Sequence, residues 1–221
     1  MKPIWLSWSS GKDSAWTLYQ LQKNPHYQVK QLFTTVNAQF QRAAMHGTSI
    51  EILKAQAHAA GVPVQLIEIP DQCDNATYQQ IMKTFVSKTN VGHMAFGDLF
   101  LEDIKQYRED SLANTPITPV FPLWQQDTKQ LAVRMIEAGL KAILTCVDTQ
   151  QLPAEFVGRA FDLSLLKDLP KNVDPCGERG EFHTCVYDGP MFREALRLDL
   201  GVTHTVGQFH FVEVCLNKGC R

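Results

Sequence analysis

The chain has no run of Lys or Arg, no apolar stretch approaching 18 residues, and no C-x-x-C pair. The first absence, with a formal net charge of −2, excludes a broad electrostatic footprint on RNA or DNA and leaves at most a local patch. The second excludes a bilayer-crossing helix, which needs about 20 apolar residues. A secretion signal is not expected either, because Pro3 and a polar loop arrive where a charged-then-apolar leader would stand; a cytoplasmic setting follows. The cysteines (Cys73, Cys146, Cys176, Cys185, Cys215 and Cys220) are scattered, so they are expected to stay reduced there, each by default a small buried apolar residue. Cys176, His183 and Cys185 lack the regular ligand spacing of a zinc site. No internal repeat or low-complexity tract appears. What remains is 221 residues of ordinary globular composition, 44% hydrophobic and 20% charged, enough for one full core and a small appendage.

Strand-like and helix-like segments alternate along the first two thirds. The apolar run ending at Trp8 precedes a helix-like segment from Ala15 to Gln22, and Gln28 to Val36 reads as a second strand. Ser49 to Ala60 is predicted helical, with Ile50, Leu53, Ala57 and Ala60 near one face and Gly61 as its stop. Val62 to Ile69, His93 to Gly97, Pro119 to Leu123 and Lys141 to Val147 read as further strands. Thr77 to Ser87, Leu101 to Leu112 and Thr128 to Ala138 read as the helices between them. Alternation with nearly continuous apolar strands predicts an α/β fold, a parallel sheet with helices on both faces. From Asp148 onward Pro and Gly break the pattern, and only Val206 to Leu216 is strongly strand-like, with a partner expected around Phe182 to Tyr187. Residues 1–147 are therefore expected to form a nucleotide-binding domain and 148–221 a smaller C-terminal α+β substrate-binding or cap region.

The most informative stretch is Ser9-Ser10-Gly11-Lys12-Asp13-Ser14, placed between the first strand and first helix. A strand, a tight loop of small residues and a helix N-terminus turn backbone N–H groups and the helix dipole toward one point, which makes an anion site. Ser9, Ser10 and Ser14 add hydroxyl donors and Lys12 a point charge, while Gly11 lets a phosphate approach the backbone. Asp13 would repel phosphates unless a cation intervenes, so it calls for Mg²⁺ bound together with them. A Walker A motif does not fit, since Leu6 stands where its first glycine is required. The stretch instead resembles the Ser-Gly-Gly-x-Asp-Ser signature of the PP-loop ATP pyrophosphatases. Ser10 replaces the first glycine, a change tolerable where its backbone stays in an ordinary region.

Ligands of such sheets sit at the carboxyl ends of the strands. The second strand ends in Thr34-Thr35-Val36-Asn37, where backbone groups would pair an adenine, and the fourth in Gly97-Asp98. Glu102 and Asp103 follow, with helix N-terminal acids offsetting a dipole as the plainer account. The second constellation is the run from Cys176 to Phe192, in which Gly177, Glu178, Gly180, Glu181 and His183 lie within seven residues. Glycines there would let Glu178 and Glu181 fold toward an amine, ammonium or metal, and His183 would transfer protons near neutral pH. A surface turn with solvated acids is the bland alternative.

This second run closely resembles the Gly-Glu-x-Gly-Glu-(Phe/Tyr)-His-(Thr/Ser) block, with its following Asp-Gly-Pro, of the diphthine–ammonia ligase family, which opens with the same PP-loop. Met45-His46, Gly97-Asp98, Pro122-Leu123-Trp124 and the apolar strand before Val147 also match, so the similarity extends from Trp5 to about Phe192. The resemblance implies a HUP-type core that binds Mg·ATP, transfers AMP to a carboxylate with release of pyrophosphate, and lets ammonia displace AMP. It implies nucleotide contacts from Ser9, Ser10, Gly11, Lys12, Ser14, Thr35, Val36, His46, Gly97 and Asp98, with Asp13 as the metal ligand. Lys12 would offset charge on departing pyrophosphate, and Glu178, Glu181 and His183, with Glu102 and Asp103, would line the acceptor or ammonia site. The chain departs from the archaeal and eukaryotic pattern in having Phe100-Leu-Glu-Asp-Ile-Lys-Gln-Tyr107 after Gly-Asp. Such variants resemble a bacterial branch, in organisms without diphthamide, so the resemblance reaches the adenylation chemistry and leaves the acceptor open.

Rival readings remain at this point. A PP-loop RNA-modifying enzyme would be expected to bring a basic surface or a cysteine pair. A glutamine-dependent synthetase would need an amidase domain for which there is no room, which favours free ammonia. A non-catalytic ATP sensor would share the loop, and a metal-binding module would use the Cys/His segment. Self-assembly into a homo-oligomer is left open.

Overall fold

The computed structural model describes residues 1–37, 39, 42–43, 48–71 and 73–217. β1 (Lys2–Ser7) alternates between two environments, as a strand with both faces covered must. Ile4 and Leu6 enter one apolar cluster, while Trp5 packs against the other. The first cluster adds residues of α1 (Lys12–Lys23), α2 (Ile50–Ala60) and α5 (Thr128–Glu137); the second adds Phe85 and Val86 of α3 (Asn75–Lys88) and Leu112 of α4 (Glu102–Leu112). Helices thus cover both faces of a parallel sheet, as expected. β2 (Tyr27–Asn37) pairs with β1 and with β4 (Val64–Ile69), and β1 pairs with β5 (His93–Ala95), which pairs with β6 (Thr118–Val120), all parallel. The two-residue β3 (Arg42–Ala43) lies antiparallel against the end of β2.

α2 shows why the local reading succeeds. Ser49 accepts a hydrogen bond from Ile52 N as its N-cap, and Gly61 closes the helix in the left-handed conformation.

A second sheet holds β8 (Phe182–Asp188), β7 (Lys141–Asp148), β10 (Phe209–Leu216) and β9 (Leu198–Val206) in that order, every pairing antiparallel. Two expectations are corrected here. The apolar segment at 141–147 is not a further parallel strand; it is β7, inside the second sheet. Burial on both faces makes a strand continuously apolar whichever way its neighbours run. The segment at 206–216 is not the direct partner of 182–187, because β7 lies between them. A turn at Gly207, with φ 59°, instead folds β9 back onto β10. Between β7 and β8 the chain passes through a single 3-10 turn (Ala154–Phe156) and the short α6 (Leu163–Asp168). Among the described residues no helix is long and apolar enough to cross a membrane.

Candidate functional site

Residues 8–11 carry the chain from β1 to α1, and the loop is held from three sides. Within it, Ser14 Oγ donates to Gly11 O (3.0 Å), accepts from Ser9 N (3.3 Å) and lies 3.1 Å from Ser9 Oγ. From α2, Gln56 donates to Ser10 O (3.1 Å) and Val186 O (2.7 Å) while accepting from Trp8 Nε1 (2.9 Å). From β8, Val186 N donates to Ser10 O (3.0 Å), and Thr184 Oγ1 accepts from Lys12 N (3.1 Å). Ser10 sits at φ 71°, in the left-handed region, which corrects the expectation of ordinary backbone angles at this position. Its hydroxyl is paired with Thr48 Oγ1 at 2.7 Å, so the side chain is anchored where a glycine would have carried none. Gly97 borders the loop from β5: a Cβ there would stand 3.1 Å from Asp13 C and 3.2 Å from Ser14 N. The strand-end glycine thus suits the close approach of the helix backbone, which leaves little room for a Cβ.

The facing wall is the turn from Asp174 to His183. Asp174 Oδ1 accepts from Cys176 N (2.9 Å) and Oδ2 from Thr128 Oγ1 (2.7 Å). Glu181, 1% exposed, accepts from Asp174 N (2.8 Å) and Arg179 N (2.9 Å). Gly177 has φ 67°, and a Cβ on it would meet Phe182 O at 2.9 Å, so only glycine fits. Glu178 reaches across to accept from Leu99 N at 2.8 Å. Between the two walls lies a cavity of about 150 Å³, lined by Ser9, Lys12, Asp13, Glu178, His183 and Thr184 together with neighbouring backbone. A larger, more open groove of about 570 Å³ at Lys54, His58 and Arg193 lies apart from both motifs.

Lys12 is buried in this cavity, its ammonium donating to Asp13 Oδ2 (2.8 Å) and to the Cys176 carbonyl, with the rings of Phe161 and Phe182 at 5.7 and 5.4 Å. Burial works against its charge, and Asp13 beside it overcomes this and holds Lys12 above its ordinary value. Burial likewise pushes Asp13 up, with Lys12 opposing. Among the described residues Asp13 Oδ1 is buried with no hydrogen-bond partner, and Asp98 Oδ2 is buried without a hydrogen bond but in an ion pair, 3.6 Å from Arg108 Nε. Asp98 is raised by burial, with the charge of Asp13 adding to the effect and Arg108 opposing it. Burial raises Glu178 to about 7, the Asp13 charge reinforcing it against the hydrogen bond from Leu99. His183 is lowered to about 4 by burial and by Lys12. It is therefore neutral near pH 7, because burial and the neighbouring ammonium both disfavour the imidazolium.

The predicted residues thus divide. Ser9, Gly11, Lys12, Asp13, Glu178 and His183 share one cavity, with Ser10 and Ser14 shaping its loop and Gly97 and Asp98 flanking it. Glu181 spends both oxygens on the turn's own N–H groups. Thr35 and Val36 pair with Ile67 and Glu68 in the sheet and are absent from the cavity wall. Glu102 and Asp103 are exposed in the first turn of α4. Met45 and His46 lie outside the described residues. Burial pushes Cys185 up to about 12 and raises Cys176, so neither is a thiolate; Cys215 is disulfide-bonded, correcting the expectation that every cysteine stays reduced. Among the described residues no three His, Cys, Asp or Glu side chains form a metal-binding group.

Three residues that matter were not singled out from the sequence. Asp174 precedes Pro and Gly in a turn-forming pattern that would have flagged it. Gln56 is a polar residue on the apolar stripe of α2, a mismatch that signals a buried partner. Thr184 stands at the (Thr/Ser) position of the second block, but its role is set by a contact 172 residues away.

Comparison with known proteins agrees with this geometry. The diphthamide synthase N-terminal domain matches residues 1–114 and the diphthamide synthase C-terminal domain residues 127–215. A diphthine–ammonia ligase of Danio rerio is 27% identical over 194 residues, covering 85% of this chain and 71% of that protein. One of Schizosaccharomyces pombe is 33% identical over 104 residues, covering 44% of this chain but 17% of that much longer protein. One of Bos taurus is 28% identical over 138 residues, 59% of this chain and 51% of its own length. With both matched domains in order and their marker residues facing one cavity, the chain belongs to the diphthamide synthase family.

Proposed function

We propose that this protein is an ATP-dependent carbon–nitrogen ligase that adenylates a carboxylate and amidates it with ammonia, in the manner named for its diphthine–ammonia ligase relatives. The observation that carries the reading is the convergence of the Ser9–Ser14 loop and the Glu178 turn on one cavity from opposite sides. The first residues of α1, Lys12 and Asp13, line the cavity, so the positive end of the helix dipole there suits the phosphates of ATP. The parallel sheet then supplies the nucleotide half and the antiparallel sheet the acceptor half, so the functional division falls before β7 rather than at residue 147.

A carboxylate is a poor electrophile because its carbon carries an oxide leaving group. Attack of its oxygen on the α-phosphorus breaks the bond to the β-phosphate, and pyrophosphate leaves with the electron pair. Ammonia then attacks the acyl carbon, the bond to AMP breaks, and one proton is released with the amide and AMP. Lys12, fixed by Asp13 and the Cys176 carbonyl, offsets charge on the departing pyrophosphate. Glu178, with a pKa of about 7, suits the binding of ammonium and acceptance of its proton. His183 stays neutral and lines the same space.

Asp13 Oδ1, buried without a hydrogen bond among the described residues, and the nearby Asp98 carboxylate, whose Oδ2 lies in a 3.6 Å ion pair with Arg108, fit Mg²⁺, which takes one or two carboxylates together with phosphate oxygens. Asp13 and Asp98 would hold it, and when bound it supplies neutralisation of the β- and γ-phosphates.

The test is product analysis with Mg·ATP, ammonium and a cell extract as the source of acceptor. AMP with pyrophosphate is expected, whereas ADP with orthophosphate would overturn the reading, and bound but unchanged ATP would favour a sensor. Asp13→Asn should lower AMP formation about 100- to 1,000-fold, with ATP binding weakened far less. Equal loss of both would assign the residue a structural role instead.

A further inference from the structure

The turn that lines one side of the cavity and the segment after β5 meet residue for residue. Glu178 accepts from Leu99 N, and the next residue, Arg179, lays its guanidinium over the ring of the next, Phe100, at 5.4 Å from the centroid. Arg179 stands between Glu178 and Gly180, both of which line the cavity, and its backbone N–H is pinned to Glu181. Its side chain is exposed. The ion pairs among the described residues are made by Lys12, His58, Lys105, Arg108, Lys141 and Arg159, so no carboxylate of those residues neutralises Arg179.

Charge inside the cavity makes this cation consequential. Lys12 is spent on Asp13 and the Cys176 carbonyl, His183 is neutral, and Glu178 adds a second acid. The wall has no uncommitted positive charge for an acceptor. A guanidinium stacked on an aromatic ring keeps its N–H edges free for a planar, bidentate anion. The same stack covers the Phe100 face, the kind of surface that would otherwise cradle a quaternary ammonium.

We propose that Arg179 is the specificity residue of the acceptor subsite, and that the acceptor is a small acid bearing a second carboxylate rather than a cationic group. The inference rests on the reading that this cavity adenylates a carboxylate. One carboxylate enters toward the phosphates and reacts; the other stays at the mouth on Arg179.

The experiment uses the full chain with Mg·ATP and ammonium chloride. Malonate, succinate, glutarate and adipate are compared with their length-matched monocarboxylates and with matched trimethylammonio carboxylates, with AMP as the readout. Equilibrium dialysis of each dicarboxylate against the complex with a non-hydrolysable ATP analogue gives binding without turnover. At least one dicarboxylate should be favoured about 10-fold or more over its monocarboxylate in kcat/KM. Arg179→Ala should raise KM for it about 10- to 100-fold with a much smaller change in kcat, Arg179→Lys should recover part of that, and Arg179→Glu should shift preference toward the trimethylammonio acid. Equal or better use of the trimethylammonio acid by the unaltered protein, an unchanged preference in Arg179→Ala, or failure of every dicarboxylate both to bind and to react would overturn the inference. Arg179-dependent binding without any AMP would leave it standing and overturn the adenylation reading, whereas AMP formation with no dicarboxylate preference would do the reverse.

Discussion

The loop at Ser9–Ser14 and the turn at Asp174–His183 face each other across one cavity, yet they are built by opposite means. The first is a strand-to-helix connection whose shape comes from short-range hydroxyl contacts and from a clamp by Gln56 and β8. It presents a buried cation. The second has no regular structure before β8 and is shaped by two carboxylates, Asp174 and Glu181, each accepting backbone N–H groups. It presents an acid. The loop is held by hydroxyl contacts within it and by neutral donors clamping it from outside, whereas the turn is held by charge buried within it. The difference shows most clearly in two glutamates three residues apart: Glu181 is consumed in building the turn, while Glu178 is what the turn delivers.

Removing the cation should be the most damaging change. Lys12→Met would leave the half-buried Asp13 with neither oxygen paired, a loss of about 2–4 kcal/mol in denaturant unfolding. The double variant Lys12→Met/Asp13→Asn should recover most of that stability without restoring AMP formation. Recovery of activity in the double variant would show that the ammonium serves only to neutralise its neighbour.

The glutamates sharpen the comparison further. Glu181→Gln replaces one acceptor by a donor facing the N–H of Asp174 or Arg179, and should destabilise by about 2–3 kcal/mol at neutral pH. Glu178→Gln should do the opposite. The folded-state pKa of Glu178 is raised from 4.5 to about 7, so its carboxyl adds no penalty below the lower value, where folded and unfolded chains are both protonated. As pH rises through that window the unfolded chain releases its proton first and stability falls, reaching a constant deficit above the upper value. Glu178→Gln should remove that slope and unfold later than the unaltered protein at pH 8, by about 1–2 kcal/mol after allowance for its partial exposure. His183 contributes in the reverse sense: with its folded pKa lowered from 6.5 to about 4, it destabilises the fold as pH drops through that interval. If Glu181→Gln were harmless and Glu178→Gln damaging to stability, the division of labour between them would be wrong.

How far each half was legible follows from the same contrast. The cradle at Ser9–Ser14 could be read directly, because strand, loop and helix are adjacent in the chain and each carries its own periodicity. The parallel sheet was legible for the same reason. The turn could be recognised as a site but not apportioned, since nothing in Gly-Glu-Arg-Gly-Glu says which acid points inward; that is decided by Asp174 N on one side and Leu99 N on the other. β9 went unread although Leu198, Leu200, Val202, His204 and Val206 alternate, because Gly201 interrupts the run and six of its nine residues, Leu200 and every one from Val202 on, are exposed. The pairing of β7 with β8 and β10 was out of reach of any local pattern, being a choice of neighbour rather than of conformation.

The finest test lies at Ser10, where the cradle itself departs from its own pattern. A non-glycine residue in the left-handed region costs about 1–2 kcal/mol, and the buried hydroxyl pair with Thr48 returns about 1 kcal/mol of it. Ser10→Gly relieves the backbone and loses the pair, so its stability should lie close to that of the unaltered protein. Ser10→Ala loses the pair and keeps the strain, and should unfold about 1 kcal/mol sooner than the glycine variant. Both variants retain Ser10 O, which accepts from Gln56 and Val186, so the loop itself should keep its clamp and its affinity for ATP. Equal stability of the two would mean that the backbone at this position carries no strain, and that the serine is there for its hydroxyl alone.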